Sequence, residues 1–192
     1  MPPNAKFSRD EIIEAAFQMV RTEGSLSLTA RALGTKLGSS ARPIFTVFRS
    51  MAEVQHAVMM AAKGLYKEYV EKGLAEPKAF KGVGQQYILF AINEPKLFQL
   101  LFMEEQKQIP SLSGVLPVIE DSYEEILASI RNEYGMDSIS AEKLYRHLWI
   151  YTHGIAALCA TKMCRFTEEE ISEMITEVCG SLLKHYHEQD GG

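Results

Sequence analysis

Apolar residues return at i, i+3, i+4 and i+7 along nearly the whole chain, and no stretch alternates with a period of two. A helix puts third and fourth neighbours on one face, whereas a strand puts second neighbours there, so the pattern predicts an all-α protein. The first stripe is Ile12, Ile13, Ala16, Phe17 and Val20, led in by Ser8 and Glu11 at capping-box spacing and closed by Gly24. Ser27 or Thr29 can cap a short second helix carrying Leu33 and Leu37, which Gly38 closes. Ser39 or Ser40 caps a third short helix with Ile44, Phe45, Val47 and Phe48. Ser50 and Glu53 form another capping box, opening a long helix with Val54, Val58, Ala61 and Leu65 on one face, which runs to the mid-seventies before Pro77.

Beyond Pro77 the stripes are Val83, Tyr87, Phe90 and Ala91, then a short helix restarted by Pro95 with Leu97, Phe98, Leu101 and Phe102. Pro, Ser and Gly make Ile109 to Pro117 a loop. A long helix follows from Ile119 through Tyr134, closed by Gly135, and Ser140 opens another with Leu144, Leu148, Tyr151, Ile155 and Leu158. Thr167 and Glu170 form the clearest capping box, ahead of Ile171, Ile175, Val178, Leu182 and Tyr186. The expected total is about nine helices. They divide into a three-helix segment over residues 1–52 and a larger helical bundle over 53–192.

With 46% apolar and 23% charged residues in 192, the chain has enough apolar surface for one or two cores, which excludes long disorder. Its longest stretch without Lys, Arg, Asp or Glu, His147 to Thr161, is shorter than the ~18–20 apolar residues of a membrane span, so no membrane partner is expected. Met1 to Phe7 contains no apolar run of the signal-peptide kind. Cys159, Cys164 and Cys179 include no C-x-x-C, which suggests reduced thiols and a cytoplasmic protein. His185 and His187 point about 200° apart on a helix, and Cys159 and Cys164 share no face, so no metal is expected. Without a phosphate-binding glycine loop or a nucleophile elbow, neither a cofactor nor an enzyme is expected.

Charge is distributed unevenly. The chain carries −5, yet Gly24 to Ser50 holds Arg31, Lys36, Arg42 and Arg49 and no acid. Two short helices inside this one acid-free basic segment make a helix-turn-helix candidate for double-stranded DNA. Gly34 and Gly38 supply a close approach and a turn, and Leu33, Leu37, Ile44 and Phe48 face inward. The outward face then holds Ser40, Ala41, Arg42, Pro43 and Thr46, short residues around one arginine, suited to a major groove ~12 Å wide. Arg42 can bind guanine in bidentate fashion, the Thr46 methyl can meet thymine, and Thr29 can give a hydroxyl and an amide to phosphate.

Ile12, Ala15, Ala16 and Phe17, then Gly24, Leu28–Leu33, Leu37–Ser40 and Ile44–Ser50 carry a resemblance in order and spacing. Through them residues 8–55 resemble the DNA-binding domain of TetR-family transcriptional regulators. The family usually has Tyr where Phe45 stands and often Lys where Met51 stands, both phosphate contacts, and Pro43 replaces a common Thr. The resemblance leaves Lys36 and Arg49 as compensating phosphate contacts. Further on, Tyr87–Ala91, Pro95, Phe98, Leu101, Phe102, Trp149, His153 and Gly154 are similar to the C-terminal domain of a TetR subgroup named for its Trp and His-Gly residues. The resemblance implies a homodimer through the last two helices. It also implies a repressor released from its operator by a small molecule held between helices of the larger domain. Phe90, Phe98, Phe102, Met103 and Trp149 can line an apolar pocket or form plain core, and His153 completes the candidate ligand set. An apolar or aromatic effector is expected.

Overall fold

The computed structural model describes residues 6–105 and 109–190, without the side chains of His187, Gln189 and Asp190. Regular structure among them is entirely helical. In chain order the α-helices are α1 Arg9–Glu23, α2 Ala30–Lys36, α3 Met51–Leu74, α4 Ala79–Asn93 and α5 Pro95–Phe102. They continue as α6 Val115–Ile119, α7 Tyr123–Tyr134, α8 Ser138–Ala160 and α9 Glu168–Asp190. Two short 3₁₀ turns, Ser25–Ser27 and Ile44–Thr46, complete the set. None of the described helices is long and apolar enough to cross a membrane.

The chain forms two compact units. One contains residues 1–65 and 94–104, the other 66–93 and 105–192. The first is thus larger than the segment 1–52 delimited from sequence, because α5 packs on α1. Glu94, buried just ahead of α5, accepts hydrogen bonds from both Arg21 Nε (2.7 Å) and Arg21 Nη2. Within this unit Ser8 Oγ takes the Glu11 amide while the Glu11 carboxylate takes the Ser8 amide, the reciprocal pairing expected of a capping box. That pairing holds the Glu11 carboxyl below its ordinary range. The buried face of α1 is Ile12, Ala16, Met19 and Val20, with Ile13 and Phe17 half-buried. Thr29 Oγ1 caps α2 by accepting from the Ala32 amide at 3.2 Å.

The third short helix differs from expectation. No α-helix starts at Ser39 or Ser40; Ile44–Thr46 is a 3₁₀ turn whose amides bond back to Ala41, Arg42 and Pro43. Proline disfavours helical backbone at the residue before it, so Arg42 cannot extend the helix backward. Ser50 already prepares α3, accepting from the Glu53 amide. The few residues between fit i→i+3 bonding better than α-turns.

The buried stripe of α3 is Val54, Val58, Ala62, Tyr66 and Val70, a strict step of four, and the expected Ala61 and Leu65 are half-buried beside it. In the second unit α8 packs on α4, α7 and α9, and α4 also meets α7 and α9. The backbones at Gly73 and Gly82 approach so closely that a Cβ on Gly73 would sit 2.6 Å from Val83 backbone atoms. The long helix expected from Ile119 is two helices, because Glu120 is extended between them with its carboxylate fastened to the Ser122 amide (3.0 Å). The expected loop from Ile109 to Pro117 already enters α6 at Val115. Asp137 rather than Ser140 caps α8, its carboxylate accepting the Ile139 and Ser140 amides. Thr167 and Glu170 make the reciprocal capping pair ahead of α9.

Candidate DNA-binding surface and candidate ligand cavity

The acid-free segment folds around one tight contact. A Cβ on Gly34 would lie 2.8 Å from both the Ala41 nitrogen and the Ser40 carbonyl carbon, so only glycine lets the two strokes of the motif touch. Gly38 reverses the chain with φ 64°, and the Ser39 amide returns to the Gly34 carbonyl at 2.9 Å. Leu33, Ile44 and Phe48 are fully buried beneath this corner, and Leu37 is half-buried.

Above the corner, Thr29, Lys36, Ser40, Arg42, Phe45, Thr46 and Arg49 are exposed, while Ala41 and Pro43 are half-buried. Neither Arg31, Lys36 nor Arg42 has a carboxylate within ion-pair distance among the described residues. Thr46 spends its hydroxyl proton on the Pro43 carbonyl (2.7 Å), so it offers a partner chiefly its methyl. Glu53, the nearest acid in sequence, is occupied: its carboxylate takes the Arg49 amide at 2.8 Å and Arg9 Nη1 at 2.9 Å. These bonds, the Arg49 amide first, hold its carboxyl below the ordinary range. Arg9 in turn lies over the Phe48 ring, 4.3 Å from its centroid.

The second unit encloses a cavity of about 210 Å³. From α4 come Phe80, Lys81, Val83, Gly84 and Tyr87; from α8, Tyr145, Leu148, Trp149 and Thr152; from α9, chiefly Ile175, Thr176 and Cys179. Tyr66 of α3 and Glu120 line it as well. The Tyr66 hydroxyl donates to Glu120 Oε2 at 2.6 Å. Burial, with the Glu120 charge adding to it, pushes the Tyr66 and Tyr145 phenols far up, so both stay protonated donors. The Tyr87 hydroxyl lies 2.9 Å from His153 Nδ1 and also engages the Trp149 side chain.

Of the six residues assigned to the ligand from sequence, Trp149 lines the cavity. His153 stands behind the wall, bonded to Tyr87 and close to the Trp149 ring. Phe90 is fully buried against the rings of Tyr66 and Tyr69. Phe98, Phe102 and Met103 belong to the other unit, where Phe98 is buried against Phe102 and Met103 is exposed. The polar lining, Glu120, Lys81 and the tyrosines, was not among the sequence candidates. Its only sequence signal is the four-residue step from Tyr66 to Val70 and the spacing of Lys81, Gly84 and Tyr87 on one helical face.

Burial keeps the His153 imidazole pKa below its ordinary value. The unfolded chain therefore takes up a proton that the folded ring resists, so stability falls as pH drops below about 6.5 and is unaffected well above it. Urea unfolding at about pH 8 and about pH 5.5 is expected to show a loss on acidification that His153→Gln reduces. An unchanged loss in the variant would assign the pH effect to other groups.

Burial likewise raises the Cys159 and Cys179 thiols, which weakens them as nucleophiles. Among the described residues no three or more His, Cys, Asp or Glu gather as a metal site. The His187 side chain lies outside those residues, and His185 is exposed on α9. No protein-family model matches this chain, and no curated protein matches it as a relative.

Proposed function

We propose that this protein is a DNA-binding transcriptional regulator of the TetR type: a homodimeric repressor released from its operator by a small molecule. The observation that carries the reading is the Gly34 corner. It fixes a basic, acid-free turn over three fully buried side chains, with Arg42, Phe45 and Thr46 outward. Such a turn presents a guanidinium and apolar groups to base edges, with Thr29, Lys36 and Arg49 around it for phosphate.

A single reading turn binds weakly, so a second copy is part of the proposal. On the exposed side of α8, Ile150 (49% exposed), Gly154 and Leu158 (37%) recur every four residues. A Cβ on Gly154, or on Gly180 of α9, would meet nothing within 4 Å. Apolar residues spaced around open glycines suit close packing against the same helices of another copy. Ile150→Glu is expected to convert the dimer to monomer at micromolar concentration in sedimentation velocity. A dimer that survives this change would put the interface elsewhere.

Ligand and DNA are coupled in this reading through α3, which starts two residues after Arg49 and carries Tyr66 into the cavity wall. A ligand that moves Tyr66 favours one placement of the reading turns and lowers operator affinity by a coupling energy of about 1–3 kcal/mol. The test is titration of a random duplex pool by anisotropy at several salt concentrations. Binding that weakens with salt by a slope of about 4–8 phosphates per dimer supports the reading. No binding even at low salt would favour a helical binding protein that keeps the fold without DNA activity.

A further inference from the structure

Two charged groupings line the cavity: Lys78 and Lys81, which act on Cys179, and Glu120, which is bonded to Tyr66. Lys81, part-buried, donates to Ser172 Oγ at 2.9 Å and to Thr176 Oγ1 at 3.0 Å, both neutral partners. Among the described residues no carboxylate reaches ion-pair distance of Lys81 or of Lys78, which lines the same cavity. Lys78 and Lys81 both act electrostatically on Cys179, as does Glu133, which forms no ion pair with either lysine among the described residues. The first turn of α4 contains no acid, so the positive end of that helix adds to the lysines. Glu170, two residues before Ser172, is committed to the Thr167 amide, and Glu173, next to Ser172, is exposed and forms no ion pair with Lys81 among the described residues. Beside Tyr66, buried Glu120 is already bound by the Tyr66 hydroxyl and the Ser122 amide, and its carboxylate repels a second anion.

Much of the remaining wall is aromatic and aliphatic: Phe80, Tyr87, Leu148, Trp149 and Ile175. A dry cavity of roughly 150 Å³ accepts benzene, so about 210 Å³ accommodates a ring with a short chain. The geometry points to an organic anion as the occupant: a compact aromatic or branched apolar body bearing one carboxylate, the carboxylate on Lys81 and the body against Tyr87 and Trp149. An anion at Lys81 supplies the missing countercharge and makes charge-assisted hydrogen bonds to a cation whose desolvation is already partly met. Thr176 also lines the cavity, but its hydroxyl proton is spent on the Ser172 carbonyl (2.6 Å), which leaves Lys81 as the donor there. The inference rests on the effector-site reading for the ligand's purpose, though its binding needs no DNA.

Trp149 is the single tryptophan of the chain and lines the cavity, so its fluorescence reports occupancy directly. Phenylpropanoate, phenylpropanol and phenylpropylamine share one body and differ in the end group. The acid is expected to bind about tenfold tighter than the alcohol, and the amine no better than the alcohol. Lys81→Met should bring the acid to the level of the alcohol without changing the alcohol, and Lys81→Arg should keep most of the preference. A Cβ at position 84 would make only ordinary contacts, with Thr152 at 3.6 Å and Ile175 at 3.8 Å, so Gly84→Leu keeps a foldable helix and should fill the space and weaken all three. Equal or better binding of alcohol or amine, an acid affinity indifferent to Lys81→Met, or no binding of any of the three would overturn the proposal. Because the titration contains no DNA, these outcomes leave the regulator reading standing. Conversely, acid binding by a chain that binds no duplex would remove the regulator and keep the ligand class.

Discussion

Gly34→Ala is expected to destabilise the N-terminal unit by about 1–3 kcal/mol and to abolish sequence-specific DNA binding. Two effects oppose each other at this position. Alanine favours a helix interior by about 1 kcal/mol over glycine, and position 34 lies inside α2. Against this, the added methyl would stand 2.8 Å from two backbone atoms of Ser40 and Ala41, which cannot swing away as a flexible side chain can. The α2 corner must open, and with it go the burial of Leu33, Ile44 and Phe48 and the fixed aim of Arg42. Gly38→Asn is the control: its φ of 64° is tolerated by asparagine and an added Cβ meets nothing within 4 Å. Urea unfolding and duplex binding should therefore separate the two variants. A Gly34→Ala protein as stable as the parent would show that the corner is not what holds the turn.

Arg42→Ala is expected to cost about 1–3 kcal/mol on a selected duplex and little on random DNA. The 3₁₀ geometry sharpens this expectation. Arg42 and Phe45 stand three residues apart across this turn, joined by the Phe45 amide donating to the Arg42 carbonyl at 3.2 Å, and both side chains are exposed. Phe45, 48% exposed beside the arginine, is thereby placed for apolar contact with a base edge such as a thymine methyl. Phe45→Ala should then relax preference at a base adjacent to the one read by Arg42. Competition assays on matched and mismatched duplexes check both. An equal loss for Arg42→Ala on specific and random DNA would make that side chain a phosphate contact.

Local chemistry was readable from the sequence where a feature is complete within a few residues. The capping pairs Ser8/Glu11 and Thr167/Glu170, the restart at Pro95 and the left-handed stop at Gly135 all follow from neighbours alone. The Gly34–Gly38 corner was legible for the same reason. Features decided by distant partners were not. Phe98 and Phe102 look like pocket aromatics, but α5 packs on α1, where Glu94 holds Arg21, more than seventy positions away in the chain. The charged lining of the cavity was hidden because an isolated Glu120 or Lys81 reads as solvated surface until the fold buries it. The 3₁₀ turn was hidden because Ser39 and Ser40 suggest a helix start, whereas the restraint of Pro43 on Arg42 opposes one.

The most direct test of the regulator reading is selection of bound duplexes from a random pool by the intact protein, followed by sequencing. The account requires enrichment of an inverted repeat whose half-sites lie about one helical turn, ~34 Å, apart, with guanine at the position lost in Arg42→Ala. A pool that emerges unenriched, or enriched for a motif without two-fold symmetry, would contradict it.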